Sequence, residues 1–395
     1  MFQITGNSKT RRAGFGFERG EWMANKTGLI ATVLFAVALA GTIGYSVIER
    51  SQFQQLIHQE TQTQTLKGFV SVDVEPFLKD ARVQKILADH HLRIEIARMG
   101  SREMAAKVKA TPDGPQFFLP AGVLAARMIT DAAKQFNIPT TTYSPFYSPL
   151  VIASWEPVAQ ILANNGAAAK TGDRVYDLDL AKITDFMLQK KRWKDLPGHE
   201  GYDVSRSILI ATTDPRTSNS GALYLALTSH ALNGHEVVTD RETARRLAGQ
   251  IAELFKRQGY QENYVNTVFE DYLSIGMGKV PLVFLYEYQI VAHAMANKPI
   301  PADAVLLYPK PTLFSKEVFV ALNDPAKALG ELLSTHPELQ KIAVEYGFRG
   351  TDSALFKEAV GRAGFSVKER VVDVVDPPSG EIMAEMIEVV AAAMK

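Results

Sequence analysis

Leu92, Ile94 and Ile96 alternate with Arg93, Glu95 and Ala97, the period-two pattern of a strand covered on one face. After Met99-Gly100-Ser101, the run REMAAKV has helix-forming composition. Phe118 and Leu119 predict a short strand, and residues 121–132 a helix that starts just after Pro120. Next come Thr140 to Ser144, a Pro-rich elbow and the apolar run Leu150 to Ala153. Residues 207–211, 280–285 and 305–308 are further strand candidates, and residues 377–395 read as a closing helix. Strands alternating with helices on short connections predict an α/β chain with mostly parallel sheets.

The strongest apolar signal precedes all of these. Residues 27–48, TGLIATVLFAVALAGTIGYSVI, carry no formal charge over about 22 residues, long enough to cross a bilayer as a helix. Lys9, Arg11, Arg12, Arg19 and Lys26 lie before that run, and a polar stretch begins at Glu49. Positive residues favour the cytoplasmic side, so residues 1–26 are expected inside and everything after Ile48 outside. A retained signal anchor is the expectation. Cleavage after Ala38-Leu39-Ala40, whose small residues suit a signal peptidase, is the alternative. Residues 49–67 read as a linker, and the roughly 325 residues beyond it exceed one typical core and predict two domains.

Charge and composition narrow the function. The chain has 22% charged and 46% hydrophobic residues with a formal net charge of zero, which suits a globular body and excludes an electrostatic nucleic-acid surface. It has no cysteine, so disulfides, thiolate metal sites and cysteine nucleophiles are excluded. No HExxH, Walker, GxGxxG or GxSxG pattern occurs. His90 and His91 adjoin on a predicted helix surface and His230 and His235 bracket a helix end, so neither pair converges on one site. Asp177-Leu178-Asp179 lacks evident further ligands for a metal. No catalytic residue, metal or cofactor is expected.

In α/β sheets, ligands gather where strands end and helices begin. Residues 210–227, IATTDPRTSNSGALYLAL, run from an apolar stretch through such a loop into a predicted helix near Ala222. Helix N-termini offer unpaired N–H groups and partial positive charge, so Thr217, Ser218, Ser220 and Gly221 suit an anion or a carbonyl oxygen. Gly100-Ser101 repeats that layout. Ordinary N-capping explains either loop alone.

TTDPRTSNSGALYLAL, GSREMA at 100–105, TTYSPFYSPLVIA at 141–153 and PELQKIAVEYGFR at 337–349 together resemble, in collinear order, the bacterial extracellular solute-binding proteins of the class II periplasmic-binding-protein type. The resemblance implies two α/β lobes closing on a solute like a Venus flytrap, commonly in service of an ABC-type transporter. It implies crossings at 141–153 and at VPLVFLYEY, 280–288, with lobe 1 formed by 68–148 and 284–395 and lobe 2 by 149–283. It places ligand contacts at Ser101, Tyr143, Ser144, Thr217, Ser218, Ser220, Glu287 and Tyr288. Arg102 and Arg216 adjoin those serines and either add charge or stay solvated.

The implied partner is a small polar solute such as an oxyanion or carboxylate, with a permease or other envelope protein reading the closed state. Glu287 opposes an anion unless an arginine such as Arg102 or Arg216 pairs with it, and otherwise signals a ligand with a donor group. The closing helix, with Ile382, Met386, Ile387, Val389 and Val390, is expected to pack on lobe 1 or to dock a partner. The chain is thus expected to be a periplasm-facing or extracellular receptor on a bacterial inner membrane. A ligand-free envelope sensor or assembly module on the same fold is the alternative, and an enzyme a more distant one.

Overall fold

The computed structural model describes residues 63–395 apart from Ala110 and Pro112. The apolar segment 27–48 lies outside the described residues, and among the described residues no helix is long and apolar enough to cross a membrane.

The strands are β1 (Gln64–Val70), β2 (Leu92–Arg98), β3 (Phe117–Leu119), β4 (Thr141–Trp155), β5 (Ala168–Gly172), β6 (Val175–Leu178), β7 (Val283–Tyr286), β8 (Ala304–Pro309) and β9 (Phe314–Ala321). They run in the order β2-β1-β3-β9-β4-β8-β6-β5, with β7 also on β4. β4 joins the two halves of this array. Its first part, Thr141 to Pro149, pairs with β9, and its second, Leu150 to Trp155, pairs with β7 and β8. At about 3.3 Å per residue a strand of this length reaches across two neighbouring sheets. The register slips between Tyr143 and Phe146, around Pro145, which has no N–H to give to a ladder.

Each half has its own core. In the first, alternation along β9 sends Phe319 and Ala321 to one face, with Leu66, Phe117, Phe146 and Leu329. It sends Val318 and Val320 to the other face, with Phe118 and Ile129. In the second, Trp155, Tyr176, Trp193, Tyr224, Phe255 and Phe284 are buried in one cluster. Helices Glu156–Asn164, Leu180–Leu188, Asn219–Leu232, Arg241–Gln258 and Glu287–Met295 contribute to that cluster.

The α/β class stands, with several corrections of detail. The sheet is mixed: β1 pairs parallel with β2 and β3, and β6 with β8, while the other ladders are antiparallel. The cause is β4, against which β7, β8 and β9 all run in the opposite direction. Residues 207–211 make only isolated bridges, Ser207 to Arg192 and Ala211 to Val283. REMAAKV shortens to a 3-10 turn, Met104–Lys107. The closing helix, Gly380–Ala393, packs on Arg241–Gln258 in the second half, not on the first. There Ile382, Met383, Met386 and Val390 join the second core, and Arg245 donates to Glu385 at 2.5 Å. Asp177 pairs with Lys310 and Lys368, and Asp179 caps the helix that follows it.

Candidate functional site

Several element ends meet beside the point where β4 passes from one half to the other. From the first half come Ser71 and Asp73 just after β1, Ser315 and Glu317 on β9, and Gly122 at the start of helix Val123–Gln135. From the second come Asn219, first residue of helix Asn219–Leu232, Tyr286 at the end of β7, and Tyr288 in the first turn of Glu287–Met295. Glu317 points inward because it shares strand parity with the core residue Phe319. Gly122 keeps a positive φ of 97°, and a Cβ built there would lie 3.7 Å from the Asn219 amide, so the two halves approach closely here.

Hydrogen bonds tie the cluster together. The Tyr288 hydroxyl donates to Asp73 Oδ1 at 2.6 Å, the Ser71 hydroxyl to Glu317 Oε2 at 3.0 Å, and the Asn219 amide to the Tyr286 hydroxyl at 3.2 Å. The Tyr286 and Tyr288 rings stack with centroids 5.8 Å apart. The Tyr288 backbone N–H donates to Ser148 Oγ on β4 at 2.9 Å, anchoring the helix entry to the crossing strand. Among the described residues, no lysine, arginine or histidine forms an ion pair with Asp73 or Glu317.

That isolation sets the electrostatics. Burial, then the neighbouring charge of Asp73, pushes the Glu317 carboxyl well above its ordinary range. Burial also raises Asp73, partly offset by the Tyr288 hydroxyl. The Tyr286 and Tyr288 phenols are pushed well up by burial and by Asp73. A low-dielectric site holding two carboxyls without a cation favours their protonated forms.

The residues expected from sequence divide sharply. Tyr288 belongs to the cluster. Ser218 and Ser220 lie just behind Asn219, where Thr213 Oγ1 donates to Ser218 Oγ at 2.9 Å and lies 2.6 Å from Ser220 Oγ. Ser218 is the N-cap residue, but its side chain makes no capping bond. Gly221 allows the helix to touch its own entry loop: a Cβ there would stand 2.4 Å from the Thr213 carbonyl oxygen. Thr217 turns outward and donates to Asn263 Oδ1 at 2.8 Å. Ser101 Oγ accepts the Ala121 N–H at 2.9 Å and so steadies the loop before Gly122.

The other four lie elsewhere. Arg102 and Ser144 are exposed, and Tyr143 packs on Phe319 and beside Gly330 in the first core. Glu287 is completely buried, bound to Arg349 at 2.6 and 2.9 Å and to the Tyr308 hydroxyl. Its partner is therefore neither Arg102 nor Arg216, and Arg216 is held by Asp214 through two bonds of 2.9 Å. Asp73, Glu317, Ser71, Asn219 and Tyr286 were not expected as contacts. The available signal was a single acidic residue at a core-facing position of an apolar strand, in FSKEVFVA.

A 640 Å³ pocket lined by Arg206, Thr212, Arg257, Gln261 and Lys279 holds none of these residues. It lies within the second half, whereas the polar cluster joins both.

No protein-family model matches the chain, and no curated protein matches it. Solved structures do. The substrate-binding protein of an ABC transporter from Agrobacterium tumefaciens is 14% identical, with a TM-score of 0.52 over 85% of this chain and 96% of its own. The fold is that of the class II periplasmic binding proteins. An ABC transporter structure from Clostridium perfringens has the same TM-score at 13% identity, over 84% of this chain and all of its own. A ferric binding protein from Campylobacter jejuni reaches 0.50 at 11% identity, over 83% of this chain and 96% of its own.

Proposed function

We propose that the chain is an extracytoplasmic solute-binding protein, held at a bacterial membrane by residues 27–48 and delivering a small polar solute to an ABC-type transporter. The observation that carries this reading is the polar cluster at the junction, to which both halves contribute. The binding-protein fold, the apolar N-terminal segment and its basic flank support it. Lobe 1 is drawn from 64–148 and 314–348, and lobe 2 from 150–309 and 353–393, because β8 pairs with β4 and β6 and the closing helix joins the second core. Closure needs a ligand that binds the closed form better than the open one.

In this reading Tyr288, Asp73, Glu317, Tyr286 and Asn219 face the solute, Ser218 and Ser220 brace Asn219, and Ser101 steadies the facing loop. No step of catalysis is assigned. The test is a thermal-shift and calorimetric screen of the purified chain against amines, sugars, amino acids, carboxylates, oxyanions and metal ions. A solute at a hundredfold excess over its Kd stabilises the folded chain by about 2.7 kcal/mol. Its stabilisation should vanish in Asp73→Asn plus Asn219→Ala. Binding that survives this pair would move the site elsewhere.

A further inference from the structure

We propose that the junction site recognises an organic cation, an ammonium or guanidinium group held between Asp73 and Glu317, and not an oxyanion. This rests on the solute-binding reading and specifies its substrate class. Asp73 Oδ1 accepts from Tyr288 and Glu317 Oε2 accepts from Ser71. Oδ2 of Asp73 and Oε1 of Glu317 accept from no described residue. Glu317 is only 2% exposed and forms no ion pair with a described residue, so its ionised form calls for a counter-charge.

Two arginines of the chain are already committed. Arg216 is bound to Asp214 and Arg349 to Glu287. An oxyanion entering here would meet two carboxylates without an opposing charge. A cation with several N–H groups meets two carboxyl oxygens that accept from no described residue.

The titratable groups facing one another here are Asp73 after β1, Glu317 on β9, Tyr286 on β7 and Tyr288 on the helix that follows; helix Asn219–Leu232 contributes the neutral Asn219. A cation favours the ionised carboxylates, so its binding expels protons that the free site retains. Affinity should therefore rise with pH across the raised carboxyl range.

The experiment is titration calorimetry of the purified chain with 1,4-diaminobutane, arginine and choline as cation probes, and sulfate, molybdate, ferric citrate and zinc as competitors of other classes. It is run at pH 6 and pH 8 in buffers of different ionisation enthalpy. The expected result is binding of at least one cation probe, tighter at pH 8 and accompanied by proton release. Asp73→Asn or Glu317→Gln should each weaken it by about thirtyfold or more, as removal of one partner of a desolvated charge pair does. Proton release by the unsubstituted chain stands as evidence even if one variant fails to fold. Binding of sulfate or molybdate but no cation probe would overturn the cation assignment and leave the solute-binding reading standing. Binding of ferric or zinc ions alone would do the same. Silence from every class would overturn both.

Discussion

Glu287 offers the sharpest test of the distinction between a residue that holds the fold and one that meets a solute. Replacing it by leucine removes the carboxylate that binds Arg349 at 2.6 and 2.9 Å and accepts the Tyr308 hydroxyl. Arg349 then keeps the Glu369 carbonyl at 2.9 Å, the Lys368 carbonyl and the Phe356 ring face, 4.4 Å away, but no counter-charge. It is only 2% exposed. Breaking a buried ion pair from one side costs about 3–5 kcal/mol, and leaving the Tyr308 hydroxyl proton without its acceptor, while the oxygen still accepts the Lys368 N–H at 3.2 Å, costs about 1–3 kcal/mol. The two overlap, so the expected loss for Glu287→Leu is about 4 kcal/mol. Adding Arg349→Met removes the stranded charge and should restore most of that stability. Urea unfolding of the parent, the single variant and the double variant at neutral pH measures all three. A single variant within about 1 kcal/mol of the parent, or a double variant no more stable than the single, would refute the structural role. A Glu287→Gln chain of unchanged stability that loses its solute would return Glu287 to the site.

Gly221→Ala puts a methyl 2.4 Å from the Thr213 carbonyl oxygen and 2.8 Å from Asp214 and Pro215 backbone atoms, so it should destabilise by about 1–3 kcal/mol through overpacking, read by urea midpoint. Glu317 holds its proton more tightly folded than unfolded. Its contribution to stability is therefore complete below the ordinary glutamate value of 4.5 and is lost as pH rises through the raised folded value. Glu317→Gln escapes that loss, so the stability of the variant relative to the parent should increase from pH 4 to pH 8; a constant or shrinking difference contradicts the assignment. Met386 is fully buried in the second core, and Met386→Ala should cost about 2–5 kcal/mol. A negligible loss would return the closing helix to the role of a loosely attached docking segment.

Patterns with a short range were legible along the chain. The alternation at Leu92 to Ala97 became β2, and the apolar run before Tyr308 became β8. The resemblance placed a crossing at 141–153, where β4 pairs first with β9 and then with β7 and β8. The opening loop was identified as a helix entry, yet the residue that reaches the junction cluster is Asn219, through Tyr286, while Ser218 and Ser220 turn inward to Thr213. The sequence order of hydroxyls around a turn does not state which one faces out. Glu287 was misread for a related reason. Its partner lies 62 positions away at Arg349, and nothing local distinguishes a carboxylate bound for a buried ion pair from one bound for a cleft.

From sequence alone came the α/β class, the two-domain scale, the exclusion of cysteine chemistry and a resemblance that named the architecture. The first three follow from length, composition and periodicity over a few turns, where neighbours along the chain are neighbours in space, and the architecture from the resemblance alone. Only the tertiary structure brought Asp73, Glu317, Tyr286, Tyr288 and Asn219 together, from segments as much as 246 positions apart in the Ser71 to Glu317 bond. It also sent β8 and the closing helix to the second half. Charge at a site is the sum over all groups that folding delivers to it and all counter-charges it withholds. The sequence suggested an anion from serines at a helix start, and the fold answered with two unpaired carboxylates.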